Sequence, residues 1–338
     1  MNNKEEKYTK YALSREMLET PSIMAKFDPT GVKRFSEKVK AGKKLFLTGE
    51  GSSRIFPAKR SIYASMKWGL PVTILTEGST QAMEYDLNDF SVFAASNSGQ
   101  TKEVIRLAMT LKEKKHANVF GLTANNGTKL GEIANDTYVL ACGKENAVAA
   151  TKSVVEQGLF YDAIIRQLAG KEMKGLDKAA ECAEKALTMK PAAAIVEAMK
   201  SADVIYFAGR NTGVAEELAL KTNEITRKKS AYLEGTFAVH GIEEVMDRNE
   251  VLIWIEPFAS EEDKFRECLV KGVGMKIFTI SSRPTSFEGL VIPDAGDYAE
   301  YVQLAAGWNL LVETGLALGI DLDKPVRARK VGNEYTGS

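Results

Sequence analysis

The chain has 338 residues, more than twice the ~150 residues typical of one domain, so we expect two domains. An apolar fraction of 44% argues against a disordered chain, and 45 basic residues balanced by 45 acidic ones argue against a whole-surface nucleic-acid or membrane binder. The three cysteines show no CxxC spacing, no apolar stretch approaches ~18 residues, and the N-terminal residues are polar. We therefore expect a soluble, cytoplasmic protein without disulfides or a zinc site.

Short apolar runs alternate with helical patterns through the first half of the chain. The first forty residues are predicted to be helical, with Pro21 interrupting the helix. The predicted strands that follow are KLFLTG, VTILTE, SVFAAS, NVFGLTAN and TYVLACG. The predicted helices between them are PAKRSIYASMKWG, QAMEYD and TKEVIRLAMTLKEKK. This alternation is typical of βαβ units, which form a parallel sheet.

The same order of elements repeats in the second half. After a polar helical stretch around residues 171–190, DVIYFAGRNTG resembles KLFLTGEGSS, and Gly209 follows Gly49 by 160 residues. VLIWIE follows SVFAAS at the same offset, and KIFTISS takes the place of NVFGLTAN. A long apolar helix, YVQLAAGWNLLVETGLALG, then precedes a polar, basic tail. The repeat predicts two similar α/β domains in tandem rather than one large sheet.

Two turns of the first repeat have the composition of a phosphate site. SNSGQT (residues 96–101) follows a predicted buried strand and opens a helix, where hydroxyl groups and free N–H groups favour a dianion. GEGSS (residues 49–53) is similar, and the carboxyl ends of neighbouring strands share one crevice. The alternative is that Ser96 only caps a helix. Neither turn contains GxxxxGK[ST] or GxGxxG, which disfavours a nucleoside triphosphate or a dinucleotide.

The second repeat has different chemistry at the matching positions. EPFA (residues 256–259) is not a phosphate site by composition. The helix of this repeat instead carries Glu217, Lys221 and Glu224 at spacings that place all three on one face. Glu224 is therefore a candidate general base, and the alternative is a solvated Glu/Lys pair. His116 follows KEKK in an exposed-looking context and is expected to be structural.

Taken in order, these segments resemble the sugar isomerase (SIS) proteins, most closely the isomerase part of glucosamine-6-phosphate synthase. The resemblance covers nearly the whole chain and rests on segments that follow the family's order. These segments are REMLETPSIM, GEGSS, SNSGQT, NAVAATKS, EELALKTNE and DLDKPVRARK. His240 also follows Glu224 by sixteen residues, as the family's loop histidine does.

The resemblance implies two tandem SIS domains, each a mostly parallel five-stranded sheet flanked by helices in three αβα layers. It places a helical segment at residues 1–40, a phosphosugar-binding domain at 41–170, a linker helix at 171–194, a catalytic domain at 195–325 and a tail closing on the site at 326–338. The expected ligand is a small-molecule sugar phosphate. The expected assembly is a homodimer with sites at the subunit interface.

The resemblance also implies residue roles. Those expected to hold the phosphate are Ser52, Ser53, Ser96, Asn97, Ser98 and Thr101, while Val148 and Ala149 line the sugar through backbone groups. Glu224 moves the proton between C1 and C2, and His240 assists ring opening from the neighbouring subunit. Those expected to position hydroxyl groups and stabilise oxyanion charge are Lys221, Glu217 and Lys330. No metal ion or other cofactor is expected, because a carboxylate can carry out this proton transfer alone.

The function expected from the resemblance is that of a phosphosugar isomerase or deaminase. Its substrate would be an amino-sugar or ketose/aldose phosphate, such as glucosamine 6-phosphate. Glutamine-dependent synthesis is not expected, because the glutaminase domain is absent. Ile242 follows Gly241 where the synthase pattern has proline, and Ala150 replaces a usual serine. A fructosamine-6-phosphate deglycase and a non-catalytic phosphosugar sensor remain the alternatives.

Overall fold

The computed structural model describes residues 1–39, 41–327 and 334–337. The chain divides into two compact units. We call Ser22–Leu176 with the tail from Arg327 the first-sheet unit, and Met1–Pro21 with Asp177–Val326 the second-sheet unit. Within the described ranges, no helix combines the length and the apolar character needed to cross a membrane.

The chain begins with two helices, α1 (Glu6–Thr9) and α2 (Ala12–Lys26). The predicted interruption at Pro21 is wrong, because α2 continues through this proline. A proline inside a helix leaves the carbonyl four residues earlier without its N–H partner. Here the Thr20 hydroxyl donates to the carbonyl oxygen of Met17 at 2.6 Å. That bond satisfies the carbonyl that Pro21 leaves without a donor.

The first-sheet unit contains five parallel strands, as predicted. The strands are β1 (Lys44–Gly49), β2 (Thr73–Gly78), β3 (Ser91–Ala95), β4 (Val119–Thr123) and β5 (Asp136–Val139), in the order β2-β1-β3-β4-β5. The helices are α3 (Lys33–Ser36), α4 (Ile55–Lys67), α5 (Ser79–Ala82), α6 (Lys102–Glu113), α7 (Lys129–Ile133) and α8 (Lys152–Leu168). All residues of β3 and β4 are buried, as expected for the inner strands of a parallel sheet.

The second-sheet unit also contains five parallel strands. They are β6 (Val204–Gly209), β7 (Lys229–Glu234), β8 (Val251–Ile255), β9 (Lys276–Ser281) and β10 (Gly289–Val291), in the order β10-β9-β8-β6-β7. The helices are α9 (Leu176–Thr188), α10 (Ala193–Ser201), α11 (Val214–Ile225), α12 (Glu262–Phe265) and α13 (Ala299–Ala317), with a π-helix at Arg266–Val273. The apolar helix predicted near the C-terminus is α13, which is buried over most of its length.

The two sheets share one strand order and one register. Read from β7, the second sheet runs β7-β6-β8-β9-β10, which matches β2-β1-β3-β4-β5. Leu45 of β1 pairs with Ser91 of β3, and Ile205 of β6 pairs with Val251 of β8. Both residues of the second pair lie 160 positions after their counterparts in the first pair. The predicted repeat is therefore present in the topology as well as in the sequence.

Gly49 ends β1 and Gly209 ends β6, and the same steric reason requires glycine at both positions. A Cβ atom on Gly49 would lie 2.9 Å from the carbonyl oxygen of Ala95. A Cβ atom on Gly209 would lie 2.8 Å from the carbonyl oxygen of Ile255. Side-chain carbons do not approach a backbone oxygen this closely, so both positions require glycine.

Two edge strands of the second sheet, β7 and β10, are absent from the sequence-based prediction. The β7 sequence, KSAYLE, begins with lysine and ends with glutamate, and most of its residues are half-buried or exposed. The β10 strand has only three residues. Because edge strands are covered on fewer sides, they lack the continuous apolar run by which the inner strands are found.

Candidate functional site

The SNSGQT turn (residues 96–101) lies between β3 and α6, at the carboxyl end of the first sheet. Ser96 is buried, and Ser98 and Thr101 are half-buried. The hydroxyl oxygens of Ser96 and Thr101 lie 2.8 Å apart, and Ser98 Oγ accepts a hydrogen bond from the Gln100 N–H at 3.1 Å. These hydroxyl groups stand at the N-terminus of a 12-residue helix, where backbone N–H groups favour an anion.

Gly99 allows the turn to pack closely against a neighbouring loop. Its φ angle is +67°, and a Cβ atom at this position would lie 2.4 Å from the side chain of Thr128. The Gly99 carbonyl also accepts a hydrogen bond from the Leu130 N–H at 3.1 Å. Both the backbone angle and the close packing therefore require glycine.

The second predicted phosphate turn, GEGSS, follows β1. Since β1 pairs directly with β3, the two turns lie at the same edge of the first sheet, as predicted. Ser52 is buried and Ser53 is half-buried, and both belong to a short 3₁₀ helix. Glu50 accepts a hydrogen bond from the Ser79 N–H at 2.9 Å. Burial raises the pKa of Glu50, although this hydrogen bond opposes the shift.

Val148 and Ala149 lie in the segment between β5 and α8. Val148 is half-buried and Ala149 is buried. Glu156 of α8 fixes the start of this segment, because its carboxylate accepts hydrogen bonds from the N–H groups of Ala141 and Cys142 at 2.7 and 2.6 Å. This anchor holds the backbone at residues 141 and 142, six or more residues before Val148 and Ala149.

The side-chain amide of Asn97 binds residues outside the SNSGQT turn. Its amide nitrogen donates to Glu145 Oε2 at 2.5 Å and to Ser153 Oγ at 2.7 Å. Glu145 is only 1% exposed. Sequence reasoning missed Glu145, because a single glutamate before NAVAATKS belongs to no pattern. The two amide hydrogens of Asn97 are thus occupied by protein partners.

The α11 helix brings Glu217, Lys221 and Glu224 together on one face, as their spacing predicts. Lys221 Nζ lies 2.7 Å from Glu224 Oε2 and 3.3 Å from Glu217 Oε1. The Glu217 and Lys221 side chains are fully buried, so the alternative of a solvated Glu/Lys pair is wrong. Glu224 keeps 25% of its side-chain exposure, and its Oε1 accepts no hydrogen bond from the described residues.

The charge of Lys221 is maintained by its two carboxylate neighbours. Burial by itself lowers the pKa of Lys221, but Glu224 and Glu217 raise it, and the net shift is upward. Lys221 is therefore an ammonium at neutral pH. As an ammonium it only donates hydrogen bonds, which fixes Glu224 Oε2 as an acceptor.

His240 is exposed and follows the short helix Phe237–Val239 after β7. Its Nε2 lies 3.3 Å from Lys264 Nζ. Because a charged lysine only donates, Nε2 accepts this hydrogen bond. Within the described part of the chain, Lys264 is the only hydrogen-bond partner of the His240 ring, so the α11 carboxylates do not bind it directly.

His116 has a structural role, as expected, although the expected exposure is wrong. It is only 8% exposed, its Nε2 lies 2.9 Å from the Leu87 carbonyl oxygen, and its Nδ1 accepts from the Asn118 N–H at 3.3 Å. Three or more His, Cys, Asp or Glu side chains arranged to hold a metal ion do not occur in the described ranges.

The end of the tail reaches the SNSGQT turn. Glu334 forms an isolated antiparallel bridge with Thr101, and the Tyr335 N–H donates to the Gln100 carbonyl oxygen at 2.8 Å. Lys330, the predicted C-terminal lysine of the site, lies outside the described residues. The contact therefore concerns only the last part of the tail.

The EPFA turn after β8 is filled by a side chain of its own. Glu256 has a φ angle of +44°, and its carboxylate accepts hydrogen bonds from the hydroxyl groups of Ser281 and Ser282, both at 3.1 Å. The Ser282 N–H donates to the same carboxylate at 2.9 Å. This agrees with the prediction that the turn is not a phosphate site. That Glu256 itself would occupy the donors was not predicted.

Comparison with known proteins shows what parts of this chain are similar to. Residues 39–166 match the model of the SIS domain. A glutamine–fructose-6-phosphate aminotransferase (isomerizing) from Clostridium perfringens (strain 13 / Type A) is 28% identical over 262 residues, which is 69% of this chain and 42% of the relative. The chain thus spans less than half the length of this curated relative.

Two solved structures share the fold over nearly the whole chain. A tagatose-6-phosphate ketose/aldose isomerase from Escherichia coli has a TM-score of 0.79 at 16% identity and covers 95% of this chain and 98% of its own. A glucosamine-6-phosphate deaminase from Thermotoga maritima has a TM-score of 0.73 at 18% identity and covers 96% and 98%. At such identities the likeness concerns the fold.

Proposed function

Because the chain carries a SIS domain and is related in sequence to glutamine–fructose-6-phosphate aminotransferases, we propose that it is a phosphosugar isomerase that deaminates an amino-sugar phosphate such as glucosamine 6-phosphate. The reaction consumes glucosamine 6-phosphate and water and yields fructose 6-phosphate and ammonia. The observation that carries the proposal is the α11 set, in which a fully buried Lys221 holds one oxygen of a partly exposed Glu224.

The phosphate of the substrate binds at the turns of the first sheet. The residues proposed to hold it are Ser52, Ser53, Ser96, Ser98 and Thr101, with Asn97 acting through its backbone because its amide is engaged elsewhere. The N-terminus of α6 supplies the N–H groups that a dianion prefers. Val148 and Ala149 face the sugar through their backbone groups.

The chemistry begins with ring opening, in which His240 moves a proton from the C1 hydroxyl to the ring oxygen. Glu224 then takes the proton from C2, the electron pair of that bond forms the C1–C2 double bond of an enolamine, and the C1 carbonyl oxygen takes up a proton. Return of the C2 proton to C1 and loss of one amine proton leave an imine at C2, which water hydrolyses to fructose 6-phosphate and ammonia. Such proton transfer by a positioned carboxylate contributes about 10²–10⁴-fold to a rate.

The remaining residues of the set support Glu224 without taking its proton. Lys221 donates to Glu224 Oε2, which leaves Oε1 as the oxygen that accepts the substrate proton. Glu217 is the second carboxylate that forms an ion pair with the Lys221 ammonium. Lys330 is proposed to stabilise negative charge that develops on the sugar oxygens.

A homodimer completes the proposal, with His240 acting in the site of the neighbouring subunit. Two exposed apolar side chains of the His240 loop support this, since Phe237 is 48% and Val245 is 74% exposed. Mixing inactive Glu224→Ala chains with inactive His240→Ala chains tests it, because a mixed dimer then contains one intact site. Recovery of about a quarter of wild-type activity is expected for sites shared in this way. No recovery would place both residues in one subunit's site.

A fructosamine-6-phosphate deglycase is the second candidate, and the His240 loop favours it. Ile242 stands where the synthase pattern has proline, and it begins a short helix, Ile242–Val245. A changed loop beside the ring-opening residue would suit a larger amine on the substrate. A phosphosugar sensor is the least favoured candidate, because Glu224 and His240 are both present.

The test is release of ammonia and fructose 6-phosphate from glucosamine 6-phosphate by the wild type and by Glu224→Gln. The substitution keeps the shape of the side chain but removes the base, so turnover should fall by about 10²–10⁴-fold. The matched control is Glu197→Gln, since Glu197 also pairs with a lysine three residues away but is 64% exposed. The control should keep wild-type turnover.

Each outcome separates the candidates. Loss of turnover in Glu224→Gln alone supports the deaminase and its base together. A folded wild type that releases no ammonia from glucosamine 6-phosphate but glucose 6-phosphate from fructosamine 6-phosphates is a deglycase. Binding of both compounds without conversion of either would leave the sensor.

A further inference from the structure

A single buried carboxylate connects the phosphate turn to the loop assigned to the sugar. Glu145 lies just before NAVAATKS and is only 1% exposed. On one side, its Oε2 accepts the hydrogen bond from the Asn97 amide at 2.5 Å. On the other side, its Oε1 accepts from the backbone N–H of Thr151 at 2.7 Å. The two segments are therefore joined through one residue.

The bond between Glu145 and Thr151 closes the loop that carries Val148 and Ala149. Only residues 146–150 lie between the two partners, so the bond ties the ends of a five-residue loop together. The Thr151 hydroxyl adds a second contact to the same oxygen at 3.2 Å. Closing so short a loop restricts the backbone of Val148 and Ala149 to few conformations.

The same carboxylate occupies the N-terminus of α8. Ser153, in the first turn of this 17-residue helix, donates its hydroxyl to Glu145 Oε2 at 2.6 Å, and its N–H points to Oε1 at 3.4 Å. A helix N-terminus attracts anions, and here the protein supplies its own. The substrate phosphate is thus left to the N-terminus of α6, which the SNSGQT turn precedes.

We propose that Glu145 is a positioning residue for the sugar phosphate, an inference that rests on the proposed function. Glu145 does not touch the ligand. It holds the Asn97 amide away from the phosphate, fixes the backbone of the SNSGQT turn against the start of α8, and sets the backbone of Val148 and Ala149. Phosphate and sugar contacts are thereby kept in one arrangement before the ligand binds, which lowers the cost of binding.

A carboxylate is needed because Asn97, Thr151 and Ser153 all approach Glu145 with donor groups. The Asn97 amide, the Thr151 N–H and the Ser153 hydroxyl all donate to Glu145. A glutamine would place its NH₂ group against at least one of these donors, because an amide has only one accepting oxygen. Glu145→Gln should therefore release one of the two segments.

The matched control is Glu156→Gln. Glu156 is also 1% exposed and also accepts hydrogen bonds from the backbone of the segment between β5 and α8, but through Ala141 and Cys142. Both variants should lose comparable free energy of unfolding in a denaturant titration. Only a positioning role for Glu145 predicts different ligand binding by the two variants at a temperature where both are folded.

Calorimetric titration with glucosamine 6-phosphate and with inorganic phosphate makes the comparison. Glu145→Gln should weaken glucosamine 6-phosphate binding by about tenfold or more, because the segment it releases must then be ordered when the ligand binds. Glu156→Gln should stay within about twofold of the wild type. Inorganic phosphate contacts only the turn, so its affinity should fall less in Glu145→Gln than that of the sugar phosphate.

A second variant keeps the test decisive if Glu145→Gln does not fold. Ser153→Ala retains the carboxylate but removes one of its donors and the second acceptor of the Asn97 amide. It should bind glucosamine 6-phosphate several-fold more weakly than the wild type, with a free energy of unfolding close to it. Unchanged binding in Ser153→Ala, or equal weakening in Glu145→Gln and Glu156→Gln, overturns this inference but leaves the proposed function standing. A wild type that binds neither ligand overturns the proposed function and this inference with it.

Discussion

The SNSGQT turn after β3 and the EPFA turn after β8 occupy the same place in two sheets of the same strand order. Ser96 and Glu256 are 160 residues apart and begin their turns with the same backbone bond. The Ser96 N–H donates to the Leu122 carbonyl oxygen at 2.9 Å, and the Glu256 N–H donates to that of Ile280 at 2.8 Å. Up to this residue the two repeats are built alike.

The side chains then make the difference. In the first sheet, serine and threonine hydroxyl groups stand before α6, and Ser96 contributes no charge. In the second sheet, the Glu256 carboxylate occupies the hydroxyl and N–H donors of Ser281 and Ser282. The topology places a crevice at the strand ends in both repeats. The change from Ser96 to Glu256 means that in the second repeat the protein's own carboxylate takes the place of a bound anion.

The helices after β1 and β6, α4 and α11, differ in the opposite way, because here the second repeat carries the polar groups. In α11, Glu217, Lys221 and Glu224 form the buried charged set. The residues 160 positions earlier in α4 are Pro57, Ser61 and Ala64, and the Ser61 hydroxyl donates to the Pro57 carbonyl oxygen at 2.8 Å. The first repeat thus has the groups that we propose for an anion site, and the second has those that we propose for proton transfer.

Lys221→Met should give the largest effect, because it removes the cation of the charged set that distinguishes α11 from α4. Removing the ammonium leaves Glu217 fully buried without the cation beside it, so we expect a loss of about 3–5 kcal/mol in the free energy of unfolding. Urea titration measures it. The control is Lys271→Met, because Lys271 also pairs with a glutamate four residues away but is 63% exposed. Similar losses in both variants would contradict a special role for burial in α11.

Gly99→Ala should give an intermediate effect on the anion side of the comparison. Alanine at a φ of +67° is strained, and its Cβ would collide with Thr128, so we expect a loss of about 2–3 kcal/mol. The control is Gly127→Ala, at a φ of +63° but with nothing within 4 Å of the added Cβ. It carries only the backbone strain and should lose about 1 kcal/mol.

Phosphate binding separates the two glycine variants further. Gly99→Ala should weaken inorganic phosphate binding, because the SNSGQT turn must shift away from Thr128, whereas Gly127→Ala should leave it unchanged. If thermal unfolding and phosphate titration show the two variants to be equal, the close contact at Thr128 does not shape the turn.

The sequence was sufficient for the elements that carry a strong local pattern. The continuous apolar runs of β3, β4 and β8 identify inner strands, and the spacing of Glu217, Lys221 and Glu224 places them on one helical face. The 160-residue offset of Gly49 and Gly209 even identifies the repeat, because both glycines meet the same steric need. In these cases the local chain determines the outcome.

The sequence was insufficient where one specific hydrogen bond decides the outcome. Pro21 stays inside α2 because Thr20 satisfies the carbonyl that the proline leaves free. His116 is buried because Leu87 and Asn118 provide partners for both ring nitrogens. The role of Glu145 depends on its contact with Asn97, 48 residues earlier in the chain. No local pattern records such contacts.

Glu262→Gln should give the smallest effect and sharpens the account of the filled β8 turn. Glu262 accepts hydrogen bonds from Arg283 at 2.8 Å and from the Ser286 N–H at 2.8 Å. The Arg283 guanidinium near the EPFA turn is therefore paired with a carboxylate of the protein. Burial alone raises the pKa of Glu262, but these two partners lower it, and the net shift is downward. A glutamine keeps the shape but loses the charge, so about 1–2 kcal/mol of stability should be lost at pH 7.

The pH dependence gives this last prediction its sign. Because the pKa of Glu262 is lower in the folded protein than in the unfolded chain, its stabilisation is complete above the unfolded value of about 4.3 and is lost as the pH falls through the folded value. The stability gap between the wild type and Glu262→Gln should therefore be constant from pH 7 to pH 5 and close below pH 4. Denaturant titrations across this range measure the gap, with Asp263→Asn, a neighbouring exposed carboxylate, as the control. A gap that stays constant down to pH 3 would mean that the shape of Glu262, and not its charge, holds Arg283 beside the filled turn.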